Sequence, residues 1–150
     1  MGRFSTGVTI VTCVDENGKW LGLTANSFSS LSLDPPLVLW SLREASAKVA
    51  AFASAPHFAV NVLAESQVNL SRRFASRVED PFAEQGAWSL GDHGSPVLDG
   101  CVAVFESALY AQHAVGDHRL FIGRVLAWGD SDLPPLVYQG GHYRLLGEVL

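Results

Sequence analysis

The chain has 150 residues, which predicts a single domain over residues 1–150 with its own core. Apolar residues make up 48 % and charged residues 17 %, which excludes a disordered chain, and no run approaches the ~20 apolar residues of a membrane span. The formal net charge of −5, with only Arg72 and Arg73 adjacent among ten Lys and Arg, argues against a nucleic-acid partner. The low charge density leaves apolar surface to cover and therefore favours a homodimer.

The first half of the chain reads as strands with helices inserted. Asn17-Gly18 lies between apolar runs at residues 7–14 and 20–27, which predicts a β-hairpin. Residues 37–42 form a third strand, apolar enough to be buried on both faces. Ser46 can cap a helix over residues 47–53, ended by Pro56; residues 58–63 form a strand, and Ser66 can cap a second helix over residues 67–75.

The second half begins with a long connection and returns to strands. Residues 76–96 carry only a short helical piece near residues 82–85, and a connection of this length is usually functional or mobile. Further strands are predicted at residues 97–98, 101–111, 118–128, 136–138 and 143–146. Because hairpins connect most strands, the pattern predicts a mainly β fold, an antiparallel barrel with inserted helices, over a doubly wound sheet.

A polar run between two apolar strands is the first candidate site. Thr24, Ser27, Ser29 and Ser30 place short hydroxyls within a strand-rich stretch. Such groups on a rigid sheet suit a phosphate or a planar heterocycle. The alternative interpretation is a Ser/Thr-rich strand end and turn.

Three isolated features are further candidates, each with a purely structural alternative. His118 follows a Gly-Asp turn and is either an exposed imidazole or a hydrogen-bond donor at the rim of a barrel. Arg72 and Arg73 form either a solvated helix face or an anion contact, and Tyr143 is by default a strand aromatic.

Other classes of site find no support in the sequence. There is no G-x-G-x-x-G, P-loop, H-E-x-x-H or G-x-S-x-G motif, and the five histidines show no metal-ligand spacing, so no metal is expected. Cys13 and Cys101 lie in predicted strands without a CxxC pattern. They are expected to be buried free thiols in a reducing cytoplasm.

The order and spacing of several segments resemble the flavin reductase family, the small reductase components of two-component flavin monooxygenases. The similarity extends from about residue 3 to residue 146. The segments are Phe4-Ser5-Thr6-Gly7-Val8-Thr9, Leu23-Thr24-Ala25-Asn26-Ser27-Phe28-Ser29-Ser30, Asp34-Pro35-Pro36-Leu37-Val38, Phe58-Ala59-Val60-Asn61-Val62-Leu63, Gly116-Asp117-His118, and Pro135-Leu136-Val137-Tyr138 with Gly141 and Tyr143.

The resemblance implies an FMN-binding split β-barrel, typically a homodimer, and a set of binding residues. Thr24, Ala25, Asn26 and Ser27 would line the flavin ring, and Ser29 and Ser30 would lie towards the ribityl chain and phosphate. Further flavin contacts would come from Ser41, Leu42, Ala47, Lys48, Arg72, Arg73 and Phe74. His118 and Tyr143 match positions that approach the nicotinamide nucleotide.

The same resemblance implies an NAD(P)H-dependent flavin reductase that reduces FMN or FAD with NADH or NADPH and supplies a partner monooxygenase. The chemistry then belongs to the two cofactors, which fits a sequence without a catalytic dyad or triad. The alternatives are a flavin-binding protein without turnover on the same barrel, and a split-barrel oxidase of a small heterocycle such as a B6 vitamer.

One departure concerns the N-terminus. Relatives usually carry a further, largely helical segment before the part matching Arg3-Phe4-Ser5, and this sequence begins close to that part. Either the start is late or this member lacks the segment, in which case dimer packing or nucleotide specificity is expected to differ.

Overall fold

The structure, a computed structural model, describes residues 1–83 and 87–150. Its helices are α1 Val49–Ser54 and α2 Val68–Phe74, the second preceded by a 3₁₀ turn at Glu65–Gln67. Its strands are β1 Thr6–Gly7, β2 Thr9–Val14, β3 Trp20–Ala25, β4 Ser29–Leu33, β5 Pro36–Arg43, β6 His57–Val62, β7 Trp88–Leu90, β8 Pro96–Leu98, β9 Ala103–Val115, β10 His118–Asp130, β11 Val137–Gln139 and β12 His142–Arg144.

Seven strands form one antiparallel sheet in the order β3-β2-β6-β9-β10-β5-β4. The sheet curls until the residues after β3 meet β5. There the Ser27 hydroxyl donates to the Ser41 carbonyl at 3.0 Å and accepts from the Ser41 N–H at 3.0 Å. Because a side chain, and no strand ladder, closes this seam, the barrel stays split between β3 and β5. The predicted mainly β, antiparallel split barrel with inserted helices is confirmed.

The barrel interior is an aromatic stack that α1 covers. Trp40 of β5 stacks on Phe121 of β10 and meets Phe52 of α1 edge-on, both with ring centroids 4.9 Å apart. Successive side chains of a strand point to opposite faces, so Val38, Trp40 and Leu42 are buried while the alternate residues of β5 are only partly buried or exposed. The predicted burial of this strand on both faces is therefore wrong for the single chain, because only one face points into the barrel.

A second apolar cluster lies outside the barrel, under α2. Phe74 packs edge-on against Phe82, with centroids 5.0 Å apart, and against Trp88 at 5.2 Å. Gly22 of β3 allows this approach, since a Cβ there would lie 2.8 Å from Phe74 Cε1. The helix thus packs directly against the strand that leads into the barrel seam.

Several local predictions are confirmed and others need correction. The hairpin between β2 and β3 is confirmed, with Gly18 at a φ of 80°. Ser66 does not cap α2: it lies inside the 3₁₀ turn, where the Gln67 side chain instead accepts from the Ala64 N–H at 3.0 Å. The Ser46 hydroxyl accepts from the Lys48 N–H at 3.2 Å, and α1 begins one residue after Lys48.

The connection over residues 76–96 contains an unpredicted strand, β7, which pairs with β8 in a short hairpin. Of the predicted helical piece, Phe82 and Ala83 lie in a turn, and Glu84 and Gln85 fall outside the described residues.

Both cysteines are buried and free, as predicted, and burial raises the pKa of each thiol to about 12. None of the helices found in residues 1–83 and 87–150 combines the length and apolar character needed to cross a membrane. In that same part of the chain, no group of three or more His, Cys, Asp or Glu side chains is arranged to hold a metal ion.

Candidate functional site

A cleft of about 610 Å³ lies at the barrel seam, where the end of β3 faces the end of β5. We call it the split cleft. Its lining combines small polar groups with cationic ones: Leu23, Thr24, Ala25, Asn26, Ser27, Ser41, Leu42, Arg43, Ala45, Ser46 and His118. It therefore brings together Thr24–Ser27, Ser41, Leu42 and His118 from the residues that the sequence predicts.

Strand alternation explains why these side chains meet. Ser41 and Arg43 lie on the face of β5 opposite to the buried Trp40 and Leu42. His118 is paired directly with Arg43 in the register of β10 and β5. The turn before His118 is possible because Gly116 adopts a φ of 59°.

Two hydroxyl groups of the split cleft donate hydrogen bonds to backbone carbonyls of neighbouring elements. Thr24 Oγ1 donates to the Ser71 carbonyl of α2 at 2.6 Å, and the Ser27 hydroxyl closes the seam to Ser41. Their protons are therefore already donated within the protein. Asn26 differs, because its exposed amide has no hydrogen-bond partner in the described part of the chain and can address a ligand.

The Arg43 guanidinium brings positive charge to the split cleft, and no carboxylate lines it. Asp117 lies next to it: its Oδ1 is 2.7 Å from His118 Nδ1. This hydrogen bond and the charge of His118 lower the pKa of the Asp117 carboxyl. With Nδ1 engaged, Nε2 is the ring nitrogen that His118 can offer to a ligand.

Ala47 and Lys48 lie beside the split cleft without lining it. The Lys48 ammonium donates to the Gly22 carbonyl of β3 at 2.8 Å. Burial lowers the pKa of Lys48, and the nearby charge of Lys19 acts in the same direction. The contact ties the start of α1 to the strand that carries residues 24–25.

A second, smaller cleft of about 200 Å³ shares Thr24, Ala25 and Asn26 with the first. We call it the tyrosine cleft, lined by Val8, Thr24, Ala25, Asn26, Ala75, Tyr138 and Tyr143. The Tyr143 hydroxyl lies 2.7 Å from Ser71 Oγ, and the Arg72 guanidinium lies over its ring at 5.5 Å. His118 and Tyr143 thus lie in different clefts that meet at residues 24–26.

The remaining predicted residues line neither cleft. Ser29 borders a groove formed with residues 1–7, and Ser30 belongs to the edge strand β4. Arg73 donates to the carbonyls of Pro81 and Asp80 at 2.9 and 3.1 Å, and Phe74 is buried in the core. Their roles in binding stay predictions.

Other lining residues did not come from the sequence. In the split cleft these include Arg43, Ala45 and Ser46, and in the tyrosine cleft Tyr138. Strand alternation would have found Arg43, because it follows Ser41 by two positions and must share its face.

Residues 1–147 match the family described as "Flavin reductase like domain". The chain is 44 % identical over 143 residues to the "FMN reductase (NADH) SmoA" of Agrobacterium fabrum, covering 95 % of this chain and 80 % of that protein. It is 42 % identical over 142 residues to the reductase component of the flavin-dependent trigonelline monooxygenase of Acinetobacter baylyi, covering 95 % of this chain. The chain spans only 46 % of that protein, about half its length.

A solved structure gives the same result. The NADH:FAD oxidoreductase SgcE6 of Streptomyces globisporus, in complex with NAD and FAD fragments, superposes with a TM-score of 0.91 at 36 % identity. The match covers 97 % of this chain and 88 % of that one. Since the family match spans nearly the whole sequence and this likeness extends along both chains, the protein belongs to the flavin reductase family.

Proposed function

We propose that this chain is an NAD(P)H-dependent flavin reductase that binds FMN or FAD in the split cleft and supplies reduced flavin to a partner monooxygenase. The observation that carries the proposal is the split cleft itself, an opening of about 610 Å³ lined by small polar side chains, a guanidinium and an imidazole. Its family membership supports the same activity, as do the names of its relatives.

The lining fits a flavin on chemical grounds. Residues 24–27 offer small side chains and backbone to a flat ring, and the free Asn26 amide can hydrogen-bond to its polar edge. Arg43 offers a guanidinium to a phosphate, and the Ser46 hydroxyl lies on the same side of the cleft. No carboxylate lines the cleft to repel the anion.

The protein's part in the reaction is to bind and orient. A bound flavin would accept hydride at N5 from the nicotinamide, so the chain needs no nucleophile or strong acid of its own. His118, fixed through Nδ1 by Asp117, would position the nicotinamide nucleotide through Nε2 without transferring a proton. Tyr143, held by Ser71 at the tyrosine cleft, would contact the same nucleotide from its other side.

The proposal includes a homodimer in the cytoplasm. An apolar groove of about 470 Å³ is formed mainly by β4, β5, β9 and β10, and its lining residues are Ser30, Ser32, Leu33, Pro36, Leu37, Val38, Val102, Ala103, Phe105, Val125, Trp128, Asp130 and Ser131. Leu33 is 94 % exposed and Trp128 is 67 % exposed in the single chain. Apolar side chains at this density suit contact with a second copy, and the buried free thiols suit a reducing compartment.

The proposal is tested by adding NADH and excess FMN to the purified protein and following the nicotinamide absorption band. We expect loss of NADH that depends on both protein and flavin, and repeating the assay with FAD and with NADPH ranks the preferences. Flavin binding, measured in parallel by quenching of flavin fluorescence, separates the alternatives. Tight binding without NADH loss would overturn the reductase in favour of a flavin-binding protein without turnover.

A further inference from the structure

We propose that Arg119 is a positioning residue that fixes the shape of the split cleft from beside it, through Glu44 and Gln112. Arg119 lines no cleft and was not singled out by its sequence context. The proposal concerns how the cleft is held, and only its effect on flavin affinity rests on the proposed function.

Arg119 and its hydrogen-bond partners join four parts of the fold. Its Nε donates to Glu44 Oε1 at 2.9 Å and its Nη2 to Glu44 Oε2 at 3.3 Å, a two-pronged ion pair across the end of β5. Its Nη1 donates to Gln112 Oε1 of β9 at 3.2 Å, and Gln112 Nε2 donates to the Ala53 carbonyl of α1 at 3.0 Å. The contacts therefore connect β10, the residue after β5, β9 and α1.

Arg119 points to the opposite face of β10 from His118, because neighbouring strand residues point to opposite faces. Arg119 shares a face with Phe121, which is fully buried in the barrel, whereas His118 points into the split cleft. Glu44 directly follows Arg43 and precedes Ala45, both of which line the cleft. Each partner of the ion pair is thus the chain neighbour of a lining residue.

Backbone contacts transmit the constraint. The Glu44 N–H donates to the Asp117 carbonyl at 2.9 Å, and the Ser46 N–H donates to the Arg43 carbonyl at 3.0 Å. When Glu44 is held by the ion pair, the backbone of residues 43–46 keeps a fixed position relative to the turn before His118. Without the ion pair, this segment keeps the backbone bonds but loses its side-chain link to β10.

The geometry requires arginine. The Arg119 and Glu44 side chains are 30 % and 31 % exposed, so water only partly screens the pair. A guanidinium binds both carboxylate oxygens and the Gln112 amide at once, whereas a lysine ammonium is a point charge on a flexible stem. Arg119→Lys should therefore retain only part of the constraint on residues 43–46 and of the flavin affinity.

The experiment compares Arg119→Met and Arg119→Lys with Arg124→Met, which removes an exposed arginine further along the same strand and outside the split cleft. Amide hydrogen exchange of residues 43–46 is measured without ligand, and flavin affinity by fluorescence quenching. For Arg119→Met we expect faster exchange at residues 43–46 and about tenfold weaker FMN binding, corresponding to about 1.4 kcal/mol. Arg119→Lys should fall between this variant and the wild type, and Arg124→Met should match the wild type.

The outcomes separate positioning from general stability. Unchanged exchange at residues 43–46 in Arg119→Met, or faster exchange spread evenly over the barrel with unchanged FMN affinity, would overturn the proposal. If Arg119→Met does not fold, Glu44→Gln takes its place, since it keeps the shape and removes the charge. If the wild type binds no flavin, the proposed function fails, and the exchange at residues 43–46 still decides the role of Arg119.

Discussion

His118 offers a single ring nitrogen to the split cleft because Asp117 holds the other. The carboxylate lies 2.7 Å from Nδ1, and the imidazole is paired with Arg43 across the strands. An imidazole oriented in this way can position a ligand by one hydrogen bond. The proposed role in nicotinamide binding follows from that orientation.

Replacing His118 with Ala should raise the KM for NADH about tenfold, because one positioning hydrogen bond of about 1.4 kcal/mol is lost. The Kd for FMN should change less, since residues 24–27 and Arg43 remain. Steady-state kinetics and flavin titration measure the two effects, and His113→Ala provides a matched control at an exposed histidine of β9. A larger loss of flavin affinity than of NADH affinity would refute the assignment.

The two buried thiols make stability depend on alkaline pH. Burial raises the pKa of Cys13 and Cys101 from the ordinary 9.0 to about 12 in the folded chain. Their stabilising contribution is therefore fully present below pH 9 and is lost as pH rises towards 12, because only the unfolded thiols then ionise.

Denaturant unfolding measured from pH 8.5 to 10.5 should show this loss, at most about 1.4 kcal/mol per pH unit for each thiol. The double variant Cys13→Ala/Cys101→Ala should show a shallower decline. Lys48, whose folded pKa burial lowers, acts with the opposite sign but equally in both proteins. If the free energy of unfolding of the two proteins changed with pH in parallel, the buried thiols would not be the cause of the decline.

At the scale of elements, the barrel seam depends on one side chain. The Ser27 hydroxyl makes both hydrogen bonds that join the residues after β3 to β5, each 3.0 Å long. The same seam forms the floor of the split cleft, so stability and binding are coupled there. The Ser29 hydroxyl, by contrast, donates at the surface to the carbonyl of its neighbour Ser30.

Ser27→Ala should lower the free energy of unfolding by about 2 kcal/mol, since each lost hydrogen bond contributes roughly 1 kcal/mol. FMN affinity should fall about tenfold because residues 24–27 and Ser41 are no longer held together. Chemical denaturation and fluorescence titration measure both quantities. Ser29→Ala should leave both unchanged; equal effects of the two substitutions would show that the seam has no special role.

Local sequence signals predicted the elements that depend on local chemistry. The hairpin at Asn17-Gly18 and the turn before His118 follow from residues that tolerate a positive φ. The predicted cap at Ser66 was wrong because the side chain of Gln67 accepts the hydrogen bond from the Ala64 N–H instead. Strand β7 escaped prediction because Trp88–Leu90 is too short for a periodic pattern.

The site could be predicted only in part, because its residues come from segments that are distant in the sequence. Residues 24–27 and His118, which the resemblance implied as binding residues, lie in one cleft, and their binding roles stay predictions. The polar run as a whole does not lie there, because the chain leaves β3 after Ala25 and carries Ser29 and Ser30 into the edge strand β4. Which hydroxyls are used internally, such as Thr24 to the Ser71 carbonyl, depends on tertiary contacts that no single sequence displays.

At the scale of the whole molecule, the barrel carries an apolar groove that the single chain leaves open. The apolar groove includes Leu33 of β4 and Trp128 of β10, the two strands that flank β5. A second copy would bury these side chains and bring further strands against the half-buried face of β5.

Trp128→Glu should shift the proposed dimer to a monomer, because a buried carboxylate without a partner disfavours association. Sedimentation velocity over a range of protein concentrations measures the change. Leu145→Glu, which alters an exposed leucine outside the apolar groove, is the matched control. A wild-type protein that sediments as a monomer would refute this part of the proposal.

The most direct test of the central claim is an anaerobic reaction of the protein with one equivalent of FMN and one of NADH, compared with the Arg43→Met variant. The account predicts that the flavin's visible band and the nicotinamide band decline together in the wild type. In Arg43→Met the rate should fall at low flavin and recover as flavin is raised, since in the proposal the cleft's guanidinium would bind the phosphate and take no part in the transfer. A wild-type protein that binds FMN while both bands persist would contradict the account.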